Sequence, residues 1–130
     1  MKFMLMMHAP RGTGDWDVAK WAPADVRAMV GFMHALNADL KASGELAAAE
    51  GLTPPAEARI VRAGKKGTPV VTDGPFAETK EFLAGFWIVD CAWAERAYEI
   101  AARASSCPGP GGAPLNMPIE VRQVMPGPPQ

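Results

Sequence analysis

Val70-Val71-Thr72-Asp73-Gly74-Pro75-Phe76-Ala77-Glu78-Thr79-Lys80-Glu81-Phe82-Leu83-Ala84-Gly85-Phe86-Trp87-Ile88-Val89-Asp90 reads as a strand, an abrupt polar turn and a second strand. Val70 and Val71 are β-branched, and Pro75 stops the first strand because it has no N–H to give to a ladder. Asp73 therefore stands at a strand end. Its short carboxylate either accepts hydrogen bonds from the backbone of the following turn or serves as a proton donor or acceptor. Glu78, Lys80 and Glu81 follow, so Asp73 has company of both signs.

The second strand, 82–90, is apolar on both sides. Simple alternation puts Phe82, Phe86 and Ile88 on one face and Leu83, Gly85, Trp87 and Val89 on the other. Gly85 inside it suits a bulge or a close approach of ligand or backbone. Residues 2–8 repeat the pattern, with Phe3, Leu5 and Met7 opposite Met4, Met6 and His8. Strands buried on both faces occupy the centre of a sheet. One face packs on helices, and the apolar second face calls for another cover, a partner subunit.

Between these strands the periodicity changes. Residues 23–43 form a helix: Pro23 suits its first turn, Asp25 complements the dipole, and Val26, Met29, Val30, Met33, Leu36 and Leu40 recur at helical spacing. Gly44 ends it. A weak strand spans 45–51, and 58–62 pairs with 68–73 as a hairpin whose tip is Gly64-Lys65-Lys66-Gly67. A second helix covers 92–104, with Trp93, Ala97, Ile100, Ala101 and Ala104 on one face, and 118–125 is the last strand. The Gly/Pro-rich stretch 105–116 reads as a mobile loop, and 126–130 as a frayed tail. Trp16 and Trp21 lie in loop-like sequence and need cover: against the body, over a cavity or on a second subunit.

The composition excludes several classes. One domain, 1–130, fits 130 residues. Net charge is −1 with no basic run, which argues against direct nucleic acid binding. The only early apolar run, 3–7, is too short for a membrane span or a signal peptide core. Cys91 and Cys107 read as reduced thiols, pointing to the cytoplasm. His8 and His34 are the two histidines, and no His-x-x-x-His or Cys-x-x-Cys spacing provides a metal site. Nothing in the sequence calls for a cofactor, and Arg11-Gly12-Thr13-Gly14 is not placed to cradle a nucleotide.

Thr72-Asp73-Gly74-Pro75-Phe76-Ala77-Glu78-Thr79-Lys80-Glu81 with Leu83-Ala84-Gly85-Phe86-Trp87-Ile88-Val89-Asp90 closely resembles the signature of the DGPF-domain proteins, a branch of the YCII-related superfamily. The resemblance extends to 2–8 and to 36–52. It implies an α+β, ferredoxin-like antiparallel sheet with two helices, paired into a dimeric α/β barrel. Some members of the wider superfamily are thought to use a His–Asp pair in elimination or hydrolysis of small organic acids.

That makes Asp73 the candidate general acid or base near a small-molecule cavity, with His8 as its possible partner, and Glu78 and Lys80 as groups that orient a polar ligand. The alternative is a dimeric, non-catalytic module that captures a small molecule, or reports to a partner, through Trp87, Phe86 and the loop tryptophans Trp16 and Trp21. The frequent pairing of such genes with extracytoplasmic-function sigma factors ties that module by resemblance to transcriptional regulation. In a third reading the motif only packs two subunits together.

Overall fold

A computed structural model describes residues 1–10, 18–76 and 78–128. Strand β1 (Lys2–Pro10) is followed by helix α1 (Pro23–Ala42) and strand β2 (Leu46–Gly51). A hairpin of β3 (Arg59–Ala63) and β4 (Pro69–Asp73) comes next. Strand β5 (Glu81–Asp90), helix α2 (Ala94–Ser105) and strand β6 (Ile119–Gln123) complete the chain. The main sheet is antiparallel throughout, in the order β2-β5-β1-β6. With the hairpin set aside this is the βαββαβ order of the ferredoxin-like class. The two most apolar strands, β1 and β5, are the central pair.

Both helices cover one face of that sheet. Phe3, Leu5, Trp87 and Val89 point toward them and pack on Leu36, Leu40, Ala97, Ile100 and Ala104. The small residues of α2 permit the close approach, and Leu5, Leu36, Leu40 and Val89 are fully buried, each contributing about 1.5–3 kcal/mol of apolar burial. Gly44, at φ +78°, ends α1, and the Glu45 N–H returns to the Leu40 carbonyl at 2.9 Å. The next residues can then re-enter the sheet as β2.

A clamp holds this corner. The Arg96 guanidinium at the start of α2 donates to both carboxylate oxygens of Glu45, at 2.8 and 2.9 Å, while the Ser43 hydroxyl donates to Oε1 at 2.8 Å. The Arg96 hydrogen bonds hold the Glu45 carboxyl down at about 2, against an opposing push from burial.

Four expectations are corrected. Strict alternation along β5 fails because Met7 pairs with Gly85 and His8 with Leu83, which leaves Ala84 as an extra residue, a β-bulge. Beyond the bulge the faces exchange, so Phe82 joins Ala9 on the helix side and Leu83 joins His8 on the other. Val30 is exposed, because only the C-terminal half of α1 lies tight on the sheet. Trp93 precedes α2 in extended conformation and is 60% exposed, outside the helical face assigned to it. The stretch 105–116 is tied down: Cys107 is buried, Gly109 and Leu115 donate N–H to the carbonyls of Ala113 and Cys107, and Pro108 bridges to Pro114. Trp16, the Arg11–Gly14 stretch, Ala77 and the last two residues lie outside the described residues.

Candidate functional site

The bulge at Ala84 lies beside the candidate site. At this end of the molecule α1 lifts away from the strands, and a cavity of about 610 Å³ opens beneath it. Its floor is Met7 and Ala9 of β1 with Phe82 and Ala84 of β5. Met29 and Met33, one turn apart on α1, form the roof. Leu52, Thr53, Pro54 and Pro55 make one wall, Val18, Lys20 and Trp21 a second, and Leu115 and Met117 of the tied loop close the end.

Six separate segments thus meet around a space within the usual range for small-molecule sites. Among the described lining residues, Lys20 and Thr53 are the polar side chains. The rest is hydrocarbon, thioether and aromatic surface. Methionine side chains are polarisable and adjust shape cheaply, and they make favourable sulfur–aromatic contacts. Chemically, such walls favour an uncharged, flat or flexible apolar molecule and disfavour a small dicarboxylate, whose desolvation they would not offset.

The residues singled out from sequence fall elsewhere. Asp73 ends β4 with its side chain 97% exposed, 3.8 Å from Arg59 across the hairpin. The motif's backbone is engaged: the Gly74 N–H donates to the Ala58 carbonyl at 2.9 Å, and a Cβ on Gly74 would crowd that residue. Glu78 and Lys80 are exposed in the turn that follows.

His8 lies on the sheet face turned away from the helices, and its Nε2 stands 3.1 Å from Glu120 Oε1 on β6. His8 and Asp73 belong to different sheets, and each has a different partner. Trp87 and Phe86, adjacent in sequence, are likewise parted. Trp87 is core, its indole N–H donating to Asn37 Oδ1 at 2.9 Å, whereas Phe86 is half-buried on the outer face with Met4, Met6 and Ile88. Neither lines the cavity.

Sequence reasoning missed most of the cavity residues because Met29 and Met33 read as core and because Phe82 was assigned to the wrong face. Gly85 was the available signal. A Cβ there would come within 2.9 Å of the Glu50 carbonyl, so the glycine serves close strand approach beside the bulge. Both cysteines are free and buried, and burial pushes the Cys107 thiol up to about 11 and the Cys91 thiol upward as well. They are poor nucleophiles.

Residues 1–108 match the model of the YCII-related domain, and with the fold described above the chain belongs to that family. It is 33% identical over 81 residues to an uncharacterised protein of Rhizobium meliloti (strain 1021), an alignment that spans 62% of this chain and 64% of that relative. No helix among the described residues is long and apolar enough to cross a membrane.

Proposed function

We propose that this chain is a homodimeric small-molecule-binding module of the DGPF branch, whose ligand is an uncharged apolar or aromatic compound held between α1 and the bulged end of the sheet. The observation that carries this is the cavity of about 610 Å³ with its methionine and aromatic walls. Dimerisation is supported by the sheet's second face, where Met4, Met6, Phe86 and Ile88 form an apolar centre that the chain's own helices do not reach. The signature at 72–81 supports the branch. The resemblance supports a regulatory role beside sigma-factor-dependent transcription, and two free thiols suit a cytoplasmic setting.

Acid–base chemistry on a small organic acid, by elimination or hydrolysis, is the second possibility. It is favoured by the His8–Glu120 pair at 3.1 Å, since a carboxylate on imidazole fixes the tautomer and supports proton transfer. Asp73, Glu78 and Lys80 enter that chemistry only where a second subunit carries the hairpin end to His8.

Titration with 2-naphthol, followed by fluorescence, tests the binding module against its rival. Saturable binding that disappears in Met33→Trp, which fills the cavity, is the expected result. Absence of binding, together with turnover of a small hydroxy acid that is lost in His8→Asn, would overturn it.

A further inference from the structure

Among the described residues the β3–β4 hairpin pairs with no strand of the main sheet, and nearly all of its residues are exposed. A lone two-stranded ribbon with five-residue strands has little stability of its own. Its register puts Val61 opposite Val71 and Ala63 opposite Pro69 on one side, with the Arg59–Asp73 pair at the base. Val61 is 60% and Val71 57% exposed, an apolar stripe facing solvent. The ribbon is also strongly cationic. Arg59, Arg62, Lys65 and Lys66 face a single carboxylate, Asp73, within 59–73, which leaves nine cations against thirteen carboxylates on the rest of the chain.

We infer that this hairpin is an arm that docks on a second copy of the chain, laying Val61 and Val71 on the rim of the partner's sheet with the tip lysines Lys65 and Lys66 toward the Glu50 side. The inference rests on the dimer of the proposed function and adds a second contact to it. Two properties of the chain select this occupant. The body is acidic where the arm is basic, and the outer sheet face offers apolar surface edged by a carboxylate, since Glu50 pairs with Phe86 on that face. A twofold exchange of arms satisfies both stripes at once. Glu120, the carboxylate on the opposite flank, is already engaged by His8.

Sedimentation equilibrium of the full chain at low and high salt tests this. Val61→Asp with Val71→Asp is expected to weaken the dimer by roughly tenfold or more while circular dichroism stays unchanged, because both positions are exposed in the single chain. Lys65→Glu with Lys66→Glu weakens it chiefly at low salt, and Glu50→Lys recovers part of that loss. Arm variants that dimerise like the wild type, while Met6→Asp dissociates the dimer, would overturn the arm and leave the dimer standing. A wild-type monomer at all concentrations overturns both. A monomer that binds duplex DNA through the same cations overturns the second copy as the occupant.

Discussion

The imidazole of His8 is paired with Glu120, at 3.1 Å across neighbouring strands, and the pair lies on the sheet face opposite the cavity. The fold thus places the imidazole–carboxylate pair and the cavity on opposite sides of one sheet. For a binding module this separation is of no consequence. A single-chain enzyme would need both on one face.

Asp73 supplies the first consequence. With its side chain 97% exposed and 3.8 Å from Arg59, it makes at most a screened surface pair. Asp73→Asn is therefore expected to leave urea stability within about 0.5 kcal/mol and the affinity for 2-naphthol unchanged. Loss of ligand affinity in a folded Asp73→Asn protein would return this residue to the site.

Trp87 is expected to behave as core. Its indole N–H is held by Asn37, so Trp87→Phe removes that bond and leaves the amide of Asn37 without its partner. Denaturant titration should show a loss of about 1–2 kcal/mol, with the midpoint shifted and ligand binding retained. A variant that keeps its stability but loses the ligand would point to a binding role instead.

Gly85→Ala tests the bulged strand. The added Cβ would lie 2.9 Å from the Glu50 carbonyl, and backbone atoms on paired strands cannot step aside cheaply. The expected cost is about 1–3 kcal/mol, read from chemical denaturation. Hydrogen exchange should place the loosening at β2 and β5.

Acid titration reads the Glu45–Arg96 clamp. The Glu45 carboxyl titrates at about 2 in the folded chain against 4.5 for the free group. A depressed carboxylate stabilises the fold above the unfolded value, so this contribution is intact above about pH 4.5 and is lost as pH falls toward 2. Partial exposure of Arg96 reduces it to about 2 kcal/mol. Glu45→Gln should flatten the stability profile across that window; an unchanged profile would mean that the clamp adds nothing.

The framework was legible in the chain because its signals are local. Double-sided apolar runs marked β1 and β5 as central, Pro23 and Gly44 bracketed α1, and Gly64-Lys65-Lys66-Gly67 marked the hairpin tip. The site was not legible for the opposite reason. The cavity is lined by six distant segments, and one extra residue at Ala84 exchanges the faces of everything before it in the β5 ladder. Periodicity therefore sent Phe82 to the outer face. Asp73 drew attention because charge and turn chemistry are conspicuous in sequence, whereas a cavity lined by Met7, Met29, Met33 and Met117 looks like core until α1 is seen to rise from the sheet.

Those methionines also provide the most direct measurement. In a protein carrying 13C-labelled methionine methyl groups, titration with 2-naphthol should shift the resonances of Met7, Met29, Met33 and Met117, which line the cavity, and leave Met4 and Met6 on the outer face in place. Shifts confined to Met4 and Met6, or none at saturating ligand, would contradict a ligand site between α1 and the bulged end of the sheet.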